Sequence, residues 1–376
     1  MGTRLFSEGT IKGITLKNRI VRSATWEGMC DGEGNPTERL IDLNRTLCRG
    51  GVGLIVTGYT YVRADGKEMP RTMGIHSDDR IPALESLTQA VHEEGGRIFC
   101  QLFHAGGRAS SKETGTRPLA PSEIKDATAR DMPRAMSEQD ILELVAAFAQ
   151  GAGRARRAGF DGVQLHGAHG YLINQFLSPL NNARRDAYGG PLKNRMRFLR
   201  EVHDAVRREV GPSYPVSIKL TAADNIPGGF ALEEAVTVAR SLEAWGIDAI
   251  EVTSGTVDAG EEGPVRRKID SPEREAYNAP FARHIKTGVK VPIIVVGGFR
   301  SPEVGETILE KEGADFIALS RPFIREPDLV RKWEADRTHR ALCISCSGCF
   351  RAGMKDGGIR CVQVSETHIG PLPAAG

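Results

Sequence analysis

Short apolar runs rich in β-branched residues recur along the chain and predict strands. Between them lie segments whose apolar residues repeat with helical spacing, such as ILELVAAFAQGAGRARRAG and LEEAVTVARSLEAWG. Each helical segment ends near a glycine that can serve as its C-cap. The strand-like runs are eight in number: 20–23, 53–57, 98–102, 163–166, 216–220, 249–252, 293–296 and 316–320.

Strands that alternate with helices form parallel sheets, because a helix returns the chain to the start of the next strand. Eight such units close a (β/α)8 TIM barrel, and a chain of 376 residues can hold that barrel as one domain. In these barrels the chemistry lies at the carboxyl ends of the strands. We therefore expect functional residues where each predicted strand ends.

The segment 161–190, DGVQLHGAHGYLINQFLSPLNNARRDAYGG, carries the densest candidate chemistry. A predicted strand ends at His166, and His169 and Tyr171 follow in a glycine-containing loop. Two imidazoles three positions apart can aim N–H donors at one carbonyl oxygen that gains negative charge, and Tyr171 can act as a nearby weak acid. The alternative is that both histidines lie behind the site and that Tyr171 is a core residue.

The sequence HGAHGYLINQFLSPLNNARRDAYGG resembles the hallmark segment of the old yellow enzyme family, the NADH:flavin oxidoreductases that include the FMN-dependent ene reductases. The segments LKNRIVRSA, QLFHAGGR, VVGGFRSPE and ALSRPFIREPDL also resemble that family, in the same order. The resemblance covers residues 3–335. It implies an FMN-binding barrel in which Tyr171, His166 and His169 are the catalytic residues.

The resemblance also implies a flavin contact near the end of most predicted strands. In the family, backbone at the positions of Ala24 and Thr25 lies beside the flavin, and the amide at Gln101 hydrogen-bonds the ring. Lys219 stands where most members carry an arginine, and it supplies a positive charge without bidentate geometry. The loops after the last two strands would cradle the phosphate with backbone N–H groups. The implied FMN residues are Ala24, Thr25, Gly58, Gln101, Lys219, Gly297, Gly298, Ser320 and Arg321.

The resemblance implies reduction of an activated C=C bond in an enone, an enoate or an enoyl thioester. The substrate carbonyl would lie between His166 and His169, flavin N5 would give hydride to the β-carbon, and Tyr171 would protonate the α-carbon. Truncating both histidines should then cost about 10²-fold or more in rate. Two alternatives remain: an oxidative dehydrogenase of the amine dehydrogenase type, and a non-catalytic barrel whose cysteines bind metal.

One departure from the family follows the first strand, where many members have a tyrosine near the substrate and this chain has Trp26. Trp26 either caps the pocket or packs in the core. In the amine dehydrogenase branch a cysteine at the position that matches Trp26 attaches the flavin, and here Cys30 lies four residues later. We therefore expect non-covalent flavin. The long segment 104–136 is expected to cover the substrate, and the loop 258–270 to touch substrate or a partner.

Four of the seven cysteines cluster as C-x2-C-x2-C-x11-C, at Cys343, Cys346, Cys349 and Cys361. So compact a run is typical of iron–sulfur ligation, whereas zinc more often uses two separated C-x2-C pairs. The segment also resembles the cluster region of the 2,4-dienoyl-CoA reductase and trimethylamine dehydrogenase branches, which implies a [4Fe–4S] cluster. Zinc and unliganded thiols remain the alternatives. We divide the chain into an FMN-binding barrel, 1–338, and a cysteine-rich segment, 339–376.

Those larger relatives continue into nucleotide-binding domains, and this chain has no complete GxGxxG after a strand, so we expect no such domain here. Electrons would come from a separate electron-transfer protein, or NAD(P)H would reduce the flavin directly.

The formal charge of +2 gives no sign of the strongly basic surface that nucleic-acid binding requires. The chain has no signal-peptide pattern and no apolar run of about 18 residues, so we expect a cytoplasmic enzyme without membrane contact that acts on a small molecule, and we also expect a homo-oligomer.

Overall fold

The computed structural model describes residues 4–311 and 313–364, and at its centre eight parallel strands close into a barrel. Each strand pairs with the next, and the eighth pairs with the first, with Leu319 opposite Arg22. Every strand agrees with its predicted run to within one residue at each end, which confirms the predicted fold. The strands are β1 (Ile20–Arg22), β2 (Leu54–Val56), β3 (Ile98–Phe103), β4 (Gly162–Gly167), β5 (Val216–Thr221), β6 (Ala249–Thr253), β7 (Ile293–Val296) and β8 (Phe316–Leu319).

One main helix follows each barrel strand and packs on the outside of the barrel. The helix Arg197–Val210 shows why, because its apolar residues repeat every three or four positions and form a single buried face that includes Phe198, Val202 and Val206. The main helices are α1 (Glu38–Arg49), α2 (Ile81–Glu93), α3 (Glu138–Arg157), α4 (Arg197–Val210), α5 (Leu232–Trp245), α6 (Ala279–Lys286), α7 (Pro302–Lys311) and α8 (Leu329–Ala335).

An antiparallel hairpin of Gly9–Ile11 and Ile14–Leu16 precedes β1. Its residues Ile11 and Leu16 share a small apolar cluster with strand residues such as Phe99 and Phe316, separate from the cluster in which the helices pack. The hairpin thus closes the amino end of the barrel, and the carboxyl ends of the strands remain as the open end.

Short elements decorate the connections between barrel strands and helices. Of the short strands, Thr60–Tyr61 extends the sheet beside β3, and Leu119–Ala120 pairs in parallel with Arg134–Ala135. The short α-helices are Ser111–Thr114, Leu172–Leu177, Leu192–Arg195, Arg321–Arg325 and Gly348–Asp356, and the 3-10 helices are Arg4–Phe6, Ala64–Gly66, Asp78–Arg80, Gly106–Arg108, Val257–Glu262 and Pro272–Arg274. Within residues 4–311 and 313–364, no helix combines the length and apolar character needed to cross a bilayer.

The cysteine-rich segment folds back onto the open end of the barrel. Ala341 and Ile359 belong to the main apolar core, and the Ile359 N–H donates to the carbonyl of Glu27 at 2.8 Å. The Arg71 guanidinium donates to the carbonyl of Gly353 at 2.6 Å. The domain boundary after residue 338 stays a prediction, and residues 365–376 of the predicted segment lie outside the described residues.

Candidate active site

A cavity of about 390 Å³ opens at the carboxyl ends of the barrel strands. This volume lies within the range of roughly 300–1,000 Å³ that small-molecule and cofactor pockets span. Ten of the twelve residues predicted for catalysis and flavin binding line it: Ala24, Thr25, Gln101, His166, His169, Tyr171, Lys219, Gly298, Ser320 and Arg321.

The other two predicted residues, Gly58 and Gly297, are not among the residues that line the cavity. A Cβ on Gly58 would overlap the Glu27 carboxylate, and a Cβ on Gly297 would lie 3.1 Å from the Tyr277 ring. Both glycines therefore allow close packing at these positions. The flavin contact that the resemblance implies for them stays a prediction.

His166, His169 and Tyr171 meet at one corner of the cavity. The ring centroids of His166 and His169 lie 5.3 Å apart at 82°, and those of His166 and Tyr171 lie 5.0 Å apart at 86°. The Nδ1 atom of His166 is buried and has no hydrogen-bond partner in the described part of the chain. This corner can therefore receive a polar group from a bound molecule.

Local backbone geometry turns His169 toward His166. The φ of His169 is +64°, a left-handed conformation that only a minority of non-glycine residues adopt. The hydroxyl of Thr221 accepts from the His169 N–H at 3.0 Å, and Nε2 of His169 lies 3.0 Å from the hydroxyl of Thr253. Burial lowers the pKa of His169 to about 3 and that of His166 well below its usual range, so both imidazoles are neutral at pH 7.

A half-buried carboxylate, that of Glu68, accompanies Tyr171, and no sequence pattern predicted it. The Tyr171 hydroxyl lies 2.7 Å from Oε2 of Glu68, and Nε of Arg108 lies 3.5 Å from Oε1 of the same side chain. Burial raises the pKa of Glu68, and burial raises the pKa of Tyr171 well above its usual range. Arg108 ends the QLFHAGGR segment, whereas Glu68 lies in a loop without a recognisable pattern.

Lys219 lies in a buried polar network at the base of the cavity. Its Nζ donates to the Ser23 hydroxyl at 2.8 Å and lies 3.0 Å from Oε1 of Glu251. The Gln164 amide donates to the other Glu251 oxygen at 2.9 Å, and the Gln101 amide donates to Gln164 at 2.7 Å. Glu251 thus balances the charge of Lys219, and Gln164 sets the orientation of Gln101.

The loops after β7 and β8 border the side of the cavity predicted to bind phosphate. Gly298 has a φ of +76°, and the Ser320 hydroxyl lies 2.5 Å from that of Thr25. The Arg321 guanidinium donates to the Ser345 carbonyl at 3.3 Å and to the Ser347 hydroxyl at 3.0 Å. Arg321 therefore also holds the cysteine-rich segment against the cavity wall through hydrogen bonds, a contact that the sequence analysis did not predict.

Both long loops reach the cavity. Arg108 of the segment 104–136 lines it, and so do Pro264 and Val265 of the loop 258–270. The two loops are joined because Thr128 donates to Asp258 through its N–H at 2.9 Å and its hydroxyl at 2.7 Å. These contacts support the expectation that both loops touch a bound molecule.

Trp26 and Cys30 lie differently with respect to the cavity. Trp26 is buried in the main core, yet its ring also borders the cavity, so the two roles that the sequence left open are combined. Cys30 packs in the core and is not among the cavity residues. This arrangement favours non-covalent flavin, which stays a prediction.

The four clustered cysteines line one small cavity beside Arg321. All four carry free thiols, and burial raises the pKa of Cys349 to about 11. Within residues 4–311 and 313–364, no group of three or more His, Cys, Asp or Glu side chains is arranged to hold a metal ion. The structure therefore brings the four predicted ligand thiols to one cavity, but within the described residues it does not arrange them around a metal ion.

The cavity offers the contacts that a flavin needs. Its base carries oriented amide and ammonium groups from Gln101 and Lys219, and its walls are largely strand ends and apolar side chains. The cavity residue His166 also carries a buried polar atom, Nδ1, that has no hydrogen-bond partner among the described residues. A pocket with apolar walls and a few convergent polar groups, at the open end of a (β/α)8 barrel, is the usual place of the active site in enzymes of this fold.

The chain belongs to the NADH:flavin oxidoreductase / NADH oxidase family, whose model matches residues 4–340. It is 36% identical to an NADH oxidase of Thermoanaerobacter brockii over 352 residues, which are 92% of this chain and 53% of that protein. It is 39% identical to an NADPH dehydrogenase of a Geobacillus species over 328 residues, which are 87% of this chain and 92% of that protein.

A solved 2-naphthoyl-CoA reductase, in complex with 2-naphthoyl-CoA, superposes with a TM-score of 0.88 at 29% identity. The match covers 95% of this chain and 56% of the reductase. The chain thus spans about half the length of that reductase and of the NADH oxidase. The family and the fold predicted from the sequence are confirmed.

Proposed function

We propose that this enzyme reduces an activated C=C bond, with FMN in the barrel cavity and NAD(P)H as the source of electrons. One observation carries the proposal: two neutral imidazoles and a buried phenol converge on one corner of the cavity, and Nδ1 of His166 has no partner there within the described residues. A conjugated acceptor needs this combination, since its carbonyl oxygen gains charge while its α-carbon requires a proton.

His166 and His169 would hold the substrate carbonyl. Because both imidazoles are neutral, each can donate one N–H without bringing a permanent positive charge. Donors that are fixed in advance stabilise an oxygen as it becomes negative, and they do so more strongly in a pocket from which water is excluded. Tyr171 would then give its hydroxyl proton to the α-carbon on the same side of the cavity.

The flavin would rest on the base of the cavity. Backbone of Ala24 and Thr25, the Gln101 amide and the Lys219 ammonium would contact its ring system, and Gly298, Ser320 and Arg321 would hold its phosphate. When bound, FMN supplies the two-electron hydride chemistry that no side chain can provide. The flavin contacts that the resemblance implies for Gly58 and Gly297 stay predictions.

The choice of NAD(P)H follows from the family description and from the names of the relatives, an NADH oxidase and an NADPH dehydrogenase. The matched 2-naphthoyl-CoA reductase makes CoA thioesters a substrate class to compare with simple enones. A direct test is to mix the FMN-loaded enzyme with NADH or NADPH, follow flavin bleaching, and then add 2-cyclohexenone or an enoyl-CoA.

We also propose that Cys343, Cys346, Cys349 and Cys361 bind a [4Fe–4S] cluster. The four thiols line one cavity, and their compact C-x2-C-x2-C spacing is typical of iron–sulfur ligation. Zinc more often uses two separated C-x2-C pairs. Such a cluster would allow a separate electron-transfer protein to deliver electrons one at a time.

Anaerobic purification followed by assays of FMN, iron and sulfide tests both cofactors. About four irons and one FMN per chain support the cluster, whereas zinc or unliganded thiols contradict it. A colourless zinc protein would favour the non-catalytic barrel. Reduction of the flavin by an amine, without turnover of any enone, would instead favour an oxidative amine dehydrogenase.

A further inference from the structure

Tyr171 is in contact with a second acid. Its hydroxyl donates to Oε2 of Glu68 at 2.7 Å, the distance of an ordinary O–H···O hydrogen bond. Glu68 lies 103 positions earlier in the chain, in the loop that follows the short strand Thr60–Tyr61, so this contact exists only in the folded barrel. Both side chains line the cavity.

This contact limits how Tyr171 can act. If Glu68 were ionised, the phenol would donate its hydrogen bond to the carboxylate, and loss of the phenol proton would leave two anions in contact. If Glu68 carries a proton, it can donate to the phenol oxygen while the Tyr171 O–H turns toward the cavity. Proton donation by Tyr171 is therefore favourable only with a protonated Glu68.

We propose that Glu68 is the proton relay for Tyr171, a positioning residue that keeps the phenol O–H directed at the substrate and restores its proton. This inference rests on the proposed reduction of a C=C bond. Tyr171 gives its proton to the α-carbon, and the O–H bond of Glu68 breaks as the new phenol O–H bond forms. The Glu68 carboxylate, whose side chain is 16% exposed, then regains a proton from water.

The charges around Glu68 agree with this role. Burial raises its pKa, and the charges of Arg108 and Arg130 oppose that rise. Arg108 also interacts with two other carboxylates, because its Nη1 atom lies 3.7 Å from Asp126 and 3.9 Å from Asp258. The phenols of Tyr59 and Tyr171 are further titratable neighbours of Glu68. Arg108 thus lies close enough to stabilise the carboxylate that forms in the relay.

The experiment is a double-mutant cycle on Glu68→Gln and Tyr171→Phe in the FMN-loaded enzyme, with 2-cyclohexenone as substrate. The amide introduced by Glu68→Gln keeps the size of the side chain and a hydrogen bond but cannot pass a proton, so the cavity keeps its shape. We expect Glu68→Gln to lower kcat at least 10-fold, to remove the alkaline limb of the kcat profile and to enlarge the solvent isotope effect. In the Tyr171→Phe background it should have no further effect.

Glu113→Gln is the matched control, since Glu113 is a half-buried carboxylate that lies 3.8 Å from Lys67 and is not among the cavity residues. Glu68→Asp should recover part of the lost rate because it restores an acid at a longer distance. Equal losses from Glu68→Gln with and without Tyr171 would overturn the relay, and so would an unchanged pH profile.

If Glu68→Gln does not retain FMN, a proton inventory of the wild-type enzyme replaces the cycle. A curved dependence of kcat on deuterium content supports two protons in motion, and a straight line contradicts the relay. Failure of the wild-type enzyme to reduce any enone or enoyl-CoA would instead overturn the proposed function. The two failures are therefore distinguishable.

Discussion

The ammonium of Lys219 lies 3.0 Å from Oε1 of Glu251, and both side chains are almost completely buried. Removing two charges from water is costly, and the pair is tolerated because Ser23 and Gln164 complete its hydrogen bonds. The positive charge beneath the proposed flavin ring is therefore half of a neutral pair. This relationship makes the pair a structural element of the barrel as well as a cofactor contact.

Lys219→Met should destabilise the protein because it leaves the Glu251 carboxylate buried without its partner. Loss of one member of a buried pair costs about 3–5 kcal/mol of unfolding free energy. Urea unfolding and FMN titration measure the two consequences, and we expect weaker FMN binding as well. The double variant Lys219→Met/Glu251→Gln should recover most of the stability without recovering the FMN affinity. Unchanged stability in Lys219→Met would contradict this interpretation.

Replacing His166 and His169 together by alanine should lower enone turnover by about 10²-fold or more, because donors to the developing oxyanion are lost. FMN content should stay near one per chain, which the visible spectrum reports. His92→Ala removes an imidazole on the surface helix α2 and serves as the control. Unchanged turnover in the double variant would remove the histidines from the mechanism.

Tyr171→Phe should lower enone turnover by about 10²–10⁴-fold, the range that a positioned general acid contributes. The chain offers a matched control in Tyr188, whose hydroxyl donates to Glu201 at 2.9 Å and which is not among the cavity residues. Tyr188→Phe removes a similar phenol–carboxylate bond and should leave turnover unchanged. Full activity in Tyr171→Phe would mean that water supplies the proton.

Cys349→Ser should lower the iron and sulfide content, since a hydroxyl is a poor replacement for a thiolate ligand of iron. Cys48→Ser changes a buried thiol in α1 and is the control. Anaerobic samples assayed for metal and labile sulfide give the comparison. Wild-type iron content in Cys349→Ser would exclude this thiol as a ligand.

Glu27 should make stability depend on pH. Burial raises its pKa from 4.5 to about 7, and the charge of Arg22, 3.1 Å away, opposes the rise. A carboxyl whose pKa is higher in the folded state stabilises the protein below pH 4.5, and this contribution is lost as the pH rises through about 7. The loss is at most about 3 kcal/mol at about 1.36 kcal/mol per pKa unit.

Urea unfolding at pH 5 and pH 8 measures this effect. Glu27→Gln mimics the protonated carboxyl, so it should be about as stable as the wild type at pH 5, and its stability should depend less on pH across this interval. An identical pH dependence in the two proteins would show that other groups cause the slope.

The sequence predicted the barrel well because strand and helix periodicities are local properties. All eight runs became barrel strands, and parallel strands bring their carboxyl ends to one edge. Residues that end or follow these strands, such as Gln101, His166 and Lys219, were therefore expected in one pocket, and they line it. The expectation that the pocket binds FMN came from the family resemblance, because no local sequence pattern specifies this cofactor.

By itself, then, the amino-acid sequence determined the eight strand–helix units, the strand ends that meet at the pocket, and the spacing of the four cysteines. Only the tertiary structure decided which charges and acids neighbour them. Glu68 lies 103 positions from Tyr171, and Glu251 reaches Lys219 through the register of β5 and β6. The physical reason is that periodicity depends on neighbours in the chain, whereas ion pairs and side-chain hydrogen bonds depend on distances that exist only after the barrel closes.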